Sequence, residues 1–197
     1  LLRRELDLFP EWFIGRHLGI ELADEDKLML DRSFKFLINS ALNQPKVFVH
    51  RDFMPRNLMP VGGGPAVLDF QDMVFGPIAY DVVSLFRDAF ISWDEEQEID
   101  WVVRYWEKAR AAGLPVREDF GAFWREYELM GLQRHLKVLG IFCRLKYRDG
   151  KDKYVEDLPR FMNYAKKTAS RYLQLKPLLN LLDRLDGQTD QIGYRYK

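Results

Sequence analysis

The chain has 197 residues, 30 basic and 30 acidic side chains, and a hydrophobic fraction of 47% with 14% aromatic. That much apolar surface excludes a disordered or low-complexity chain, and a formal net charge of zero excludes the global basic field of a nucleic-acid binder. One cysteine, Cys143, excludes an internal disulfide and fits a reducing, cytoplasmic compartment, while no apolar run approaches the ~20 residues of a membrane span and no signal peptide is visible.

The chain opens on Leu1 in a helix-like pattern, so it reads as a piece of something longer. Residues 1–45 read as helical. Asp24 or Asp26 can cap a segment whose Leu30, Phe34, Leu37, Ile38, Ala41 and Leu42 fall on one face at helical spacing, and Pro45 ends it. Val47-Phe48-Val49 is a short β-favouring run, followed by the polar stretch from His50 to Asn57. Leu58–Val61 and Ala66–Leu68 flank Gly62-Gly63-Gly64, which predicts a hairpin with glycines at left-handed positions.

From Ala79 onward helix signals dominate. Asp94 and Gln97 approximate a capping box ahead of Ile99, Val102, Val103 and Trp106, and Gly113-Leu114-Pro115 breaks the pattern. A long helix is predicted from about Asp119 to Lys146, stopped at Arg148-Asp149-Gly150. A last helix spans roughly Asp157 to Leu185 with a kink near Pro177. The expected fold is therefore mainly α with a small β-hairpin insert. One lobe covers 1–186, and 187–197 form a flexible tail. Nothing alternates as strand-helix-strand, which argues against a doubly wound sheet.

The unusual polar residues gather in the insert. His50-Arg51-Asp52-Phe53-Met54-Pro55-Arg56-Asn57 fits H-R-D-x-x-x-x-N, and Asp69-Phe70 follows at the end of the next β run. Four specified residues in a window of eight arise by accident on the order of once in ~10³ chains of this length. The spacing suits phosphoryl transfer. Asp52 on a loop can accept the proton of an acceptor hydroxyl and aim that oxygen at a γ-phosphate. Asn57 supplies a neutral oxygen to Mg²⁺, and Asp69 a charged one, so that the metal bridges the phosphates of ATP. Catalysis of this kind is mostly positioning and charge neutralisation, which three oxygen-bearing side chains can supply.

Around this core the roles are less specific. His50 and Arg51 shape the loop. Asp81, at the start of a helical pattern, is either a helix N-terminal carboxylate or a brace for the loop. Arg56 is a candidate for a phosphate or a substrate carboxylate, with a plain surface arginine as the alternative. Asp72 can accept from a sugar hydroxyl or cap a turn. Trp93, Trp101, Tyr105, Trp106, Trp124, Tyr127, Arg134 and His135 fall on the helices expected around Asp52 and read mostly as core.

The segments HRDFMPRN (50–57), VLDFQD (67–72) and GPIAYDVVSLF (76–86) resemble the aminoglycoside phosphotransferase and choline kinase family, which shares the protein-kinase-like fold. Across its length the chain is similar to the carboxyl-terminal lobe of that family's bacterial amino-sugar kinases. The resemblance implies an ATP- and Mg²⁺-dependent kinase acting on the anomeric hydroxyl of cell-wall amino sugars in peptidoglycan recycling. In it Asp52 is the base, Asn57 and Asp69 are the metal and nucleotide ligands, and Asp81 supports the loop. The implied partners are a small-molecule sugar and a nucleotide, with no nucleic acid and no membrane. An aminoglycoside, choline or another small alcohol is the alternative acceptor, and a non-catalytic kinase-like binding module is the alternative class.

Three departures qualify the resemblance. Gln71 replaces the glycine of D-F-G, and the short run from Asp69 to Asp81 leaves no room for an activation loop or an A-P-E segment. No G-x-G-x-x-G loop, strand lysine or partner glutamate helix precedes His50, so the nucleotide-clamping amino-terminal lobe is absent from this chain.

Overall fold

The computed structural model describes residues 1–88 and 91–193, with side chains described through residue 187 apart from that gap. It is mainly helical, with four short strands in two antiparallel pairs. The described residues divide into two compact units, one of Leu1–Ile38 and residues 132 onward, the other Asn39–Gly131.

In the first unit α1 (Leu2–Leu6) leads into a π-helix, Phe9–His17. Its wide turns send the Leu18 N–H five residues back to the Phe13 carbonyl, 3.0 Å away, and stack Phe9 on Phe13 with centroids 5.4 Å apart. The unit also contains the first part of α2 (Asp24–Leu42), the second part of α5 (Phe120–Asp149), α6 (Leu158–Ser170) and α7 (Lys176–Gly193). Leu6, Phe13, Phe34, Leu136, Phe161 and Leu182 are among its fully buried side chains. Gly140 is required where α5 passes the Leu8 backbone, because a Cβ would collide with it. Buried Glu5 is satisfied by Gln133 Nε2 at 3.0 Å and Lys137 Nζ at 2.9 Å, as a buried carboxylate must be.

The C-terminal helices differ from the sequence expectation in two ways. The predicted kink near Pro177 is a full break. Tyr172 is extended, a 3₁₀ turn covers Leu173–Leu175, and Pro177 sits in the first turn of α7. Proline is tolerated there because that N–H has no helical acceptor. Residues 187–193, expected as flexible tail, continue α7, and 194–197 lie outside the described residues.

In the second unit β1 (Lys46–Val49) pairs antiparallel with β4 (Val74–Pro77), Val47 opposite Gly76. Strands β2 (Leu58–Val61) and β3 (Gly64–Val67) form the hairpin, with Gly63 and Gly64 at positive φ. The sequence pattern predicts the hairpin and β1 but not β4, which lies in a stretch with no assigned element. Helix α3 (Ala79–Phe86) follows directly. Its start is fixed from two sides. The Pro45 carbonyl accepts the Ile78 N–H at 3.0 Å. Buried Gln44 accepts the Ala79 N–H at 3.2 Å and donates to the Glu126 carbonyl at 3.2 Å.

Helix α4 (Glu95–Ala111) begins after Asp94, although the Asp94 side chain makes no cap bond, so the capping box does not form. It ends at Gly113 (φ 72°), where the Leu114 N–H reaches the Ala109 carbonyl at 2.9 Å. Between α3 and α4 the buried Arg87 guanidinium donates to Glu98 at 2.5 Å and lies 4.8 Å over the Tyr127 ring. The Tyr127 hydroxyl donates to the same carboxylate at 2.7 Å. Burial, and the nearby Glu98, hold that phenol well above its ordinary value in spite of Arg87.

Candidate active site

The loop between β1 and β2 is held by one carboxylate. Asp81, in the first turn of α3, accepts the His50 N–H at 2.6 Å on one oxygen and the Arg51 N–H at 2.9 Å on the other. Two charge-assisted bonds from consecutive amides fix both the height and the direction of the chain as it leaves β1. Buried His50 then reaches the far side of the site, its Nε2 lying 2.8 Å from the Leu68 carbonyl. A carbonyl only accepts, so Nε2 carries the proton. Because Leu68 immediately precedes Asp69, this bond couples the loop to the segment that delivers the second carboxylate.

Within the loop, the Asn57 amide donates to the Asp52 carbonyl at 2.8 Å. The Asn57 N–H reaches the Met54 carbonyl at 2.9 Å, and the Leu68 N–H reaches the Asn57 carbonyl at 2.9 Å. Pro55–Asn57 form a 3₁₀ turn, which brings Asn57 back against the Asp52 backbone. With the amide NH₂ donating to the Asp52 carbonyl, the side-chain oxygen of Asn57 has no protein donor among the described residues. The half-buried Asp52 carboxylate likewise accepts no hydrogen bond from a described residue. Asp69 is exposed, and one of its oxygens accepts from Gln71 at 2.5 Å.

Arg51 (φ 75°) and Asp69 (φ 65°) are the two non-glycine residues at positive φ among those described. Each left-handed L-residue costs roughly 1–2 kcal/mol, and such strain persists only where surrounding bonds over-determine it. Here Asp81 holds Arg51, and the His50–Leu68 bond abuts Asp69.

Of the residues singled out from sequence, His50, Asp52, Asn57 and Asp81 are thus joined by one hydrogen-bonded chain through the Leu68 and Asp52 backbones, and Asp69 follows Leu68 directly in the chain. Arg56 is exposed at its edge, and Asp72 is exposed with no partner among the described residues. Trp106 donates to the Arg117 carbonyl at 2.7 Å, and Trp124 stacks on Tyr127 at 5.3 Å, so both belong to the packing of the second unit. Arg134 and His135 fall in the first unit.

Sequence reasoning singled out Trp93, Trp101 and Tyr105 but read them mostly as core, and it named neither Arg104 nor Lys108; together these residues line a cleft beside the loop. It has a volume of about 430 Å³ and is lined by Pro55 of the loop, Leu85 and Phe86 of α3, Trp93, and Trp101, Arg104, Tyr105 and Lys108 of α4. A signal was present. Positions 101, 104, 105 and 108 follow i, i+3, i+4, i+7, a second stripe on α4 beside the buried one of Val102 and Ala109. Burial, then the nearby Asp81 charge, raise the Tyr105 phenol above its ordinary value, so it stays a hydroxyl at neutral pH.

The donor set fits a hard cation shared with phosphates. No group of three His, Cys, Asp or Glu side chains capable of holding a metal occurs among the described residues. Asn57 and Asp69 instead offer one amide oxygen and one exposed carboxylate, the sparse protein contribution that Mg²⁺ accepts when nucleotide and water complete its shell. No described helix is long and apolar enough to cross a membrane.

With its strands, loop and cleft defined, the chain can be set beside known proteins. Residues 1–120 match the model of the phosphotransferase enzyme family, and the chain belongs to that family. It is 57% identical over 194 residues, 98% of its length, to the N-acetylmuramate/N-acetylglucosamine kinase of Neisseria meningitidis serogroup B, and covers 58% of that protein. The proteins of the same name from Pseudomonas putida and Pseudomonas aeruginosa are 52% and 51% identical over 95% and 94% of the chain. In each of these two, 55% of the relative is covered. The chain therefore spans little more than half the length of these curated relatives.

Proposed function

We propose that this chain is the catalytic-loop lobe of an ATP- and Mg²⁺-dependent kinase that phosphorylates the anomeric hydroxyl of N-acetylmuramate and N-acetylglucosamine in the cytoplasm. The observation that carries the reading is the loop itself. A carboxylate (Asp52) and an amide oxygen (Asn57), each without a protein donor among the described residues, stand on a segment held by Asp81, close in sequence to a left-handed Asp69. Strained backbone of this kind clusters where side chains must be aimed, and here Arg51 adjoins Asp52 while Asp69 is itself a proposed oxygen donor.

In this mechanism Asp52 accepts the proton of the acceptor hydroxyl and orients its oxygen in line with the γ-phosphate. Asp81 and His50 act through the backbone, setting where Asp52 and Asp69 stand. Asn57 and Asp69 would hold Mg²⁺, which would supply charge neutralisation on the phosphates. Arg56, exposed next to Asn57, contacts the transferred phosphate, and Asp72 accepts from a sugar hydroxyl.

The lobe assignment rests on two supports. The relatives extend well beyond the matched region, and the strands of the second unit expose large apolar side chains. Phe48 is 75% exposed, Phe70 63% and Phe75 63%. Two of these lie on paired strands and Phe70 on the connection after β3, and such side chains on one small unit mark a surface that another structure covers. A nucleotide-clamping lobe seated there accounts for both. This chain alone then binds ATP weakly and turns over poorly.

The test is a phosphate-transfer screen of the full-length protein against amino sugars, aminoglycosides and choline. Transfer to the two N-acetyl sugars, lost in Asp52→Ala, is expected. Transfer to choline or an aminoglycoside instead would replace the acceptor, and full activity in Asp52→Ala would remove the base.

A further inference from the structure

We propose that the cleft beside the catalytic loop is the acceptor subsite, and that Arg104 and Lys108 on its α4 wall select the carboxylate-bearing sugar over the neutral one. This rests on the kinase reading above and adds the residues that set its acceptor preference.

Three observations combine. The cleft is of the volume that small-molecule sites occupy, and Pro55 places its wall within the same loop that carries Asp52. Its apolar side is aromatic. Trp101 meets Trp93 edge-on with centroids 4.9 Å apart and lies 5.6 Å from Phe86, while Trp93 keeps 39% of its surface exposed. Indole faces of this kind suit the apolar C–H face of a pyranose ring.

The lining charge is cationic. Arg104 and Lys108 are the charged residues among the described ones lining the cleft, while Asp81, close enough to act on Tyr105, is not part of that lining. Arg104 shares its guanidinium with Asp100 at 2.8 Å in a pair exposed on both sides, a contact weak enough to yield to a ligand. Lys108 has no acidic partner among the described residues. Two cations one helical turn apart in a cleft that also carries aromatic side chains repel choline and polycationic aminoglycosides and attract an anionic substituent. N-acetylmuramate differs from N-acetylglucosamine by a lactyl ether ending in a carboxylate, so this substituent is what the pair would read. Arg56 is not part of the cleft lining, which leaves it for the phosphate.

The experiment is steady-state kinetics of the full-length protein with both sugars, comparing the parent with Arg104→Gln/Lys108→Gln. Losing charge-assisted contacts to one carboxylate should lower the ratio of kcat/KM for N-acetylmuramate over N-acetylglucosamine by about tenfold, mostly through KM. Lys108→Glu should lower it further, Arg104→Lys should keep most of it, and added salt should lower it in the parent. An active parent whose ratio stays within twofold in both the double variant and Lys108→Glu overturns the cleft assignment while leaving the kinase reading intact. A parent that phosphorylates neither sugar overturns the kinase reading itself, and the cleft assignment with it.

Discussion

Left-handed backbone positions separate the two units. In the first unit they fall on Gly19 and Gly150, where no Cβ is strained. In the second they include Arg51 and Asp69, both within the candidate site. The same contrast runs through the side chains. Buried Glu5 in the first unit is tied to Gln133 and Lys137, whereas Asp52 in the second stands without a partner among the described residues. What distinguishes the second unit is that its left-handed non-glycine residues and an unpartnered carboxylate fall together in the candidate site, where chemistry needs them.

If that division holds, substitutions in the two units should separate rate from stability. The largest effect is expected from Asp52→Ala in the full-length protein, with phosphate transfer falling about 10³-fold at an unchanged melting temperature. Asp81→Ala should strike both properties. It leaves the His50 and Arg51 amides without their acceptor, so kcat should fall about 10²-fold through loop misplacement, with stability lower by about 1–3 kcal/mol. A denaturant titration alongside kinetics checks it, and a loss of stability alone would reduce Asp81 to a helix-start residue.

Gly140→Ala is the mirror experiment in the first unit. The added Cβ meets the Leu8 backbone and should cost about 1–3 kcal/mol, while the rate per folded molecule stays at the parent value. Asp69→Asn comes next. Asparagine tolerates the left-handed region, so the melt should not move. Nucleotide affinity at saturating Mg²⁺ should weaken about tenfold, and identical magnesium titrations for variant and parent would contradict the metal role.

The smallest effect concerns pH. Burial, with help from Lys146, holds the His17 imidazole below its ordinary value of 6.5. The folded state thus favours the neutral ring, and the stability it contributes is complete above pH 6.5 and declines as pH falls toward the folded value. His17→Gln should flatten the acid side of the stability curve, measured by thermal melts from neutral to mildly acidic buffer. An equally steep decline in the variant would place the sensitivity elsewhere.

Much of the site is legible in the sequence because its signal is local. The spacing of His50, Asp52 and Asn57 lies within one loop, and the glycines at 62–64 announce the turn that returns the chain toward Asp69. Boundaries set by glycine caps are equally readable at Gly113 and Gly150. Strand β4 is not, since a four-residue run containing Gly76 and Pro77 carries little β signal alone and forms only because β1 supplies its partner. The failed Asp94 capping box and the break before Pro177 are cases where a local motif admits several geometries and the surrounding chain chooses one.

Sequence by itself determined the helical periodicity, the turn positions and the identity of the oxygen donors, because each depends on residues within a few positions of one another. Only the tertiary structure decided that Asp81 grips the His50 and Arg51 amides 31 and 30 residues away. It also decided that His50 reaches Leu68 and that α4 turns its aromatic and cationic stripe toward Pro55. Those choices are settled by which surfaces bury together and which polar groups must then be satisfied, and no short stretch of chain contains that information.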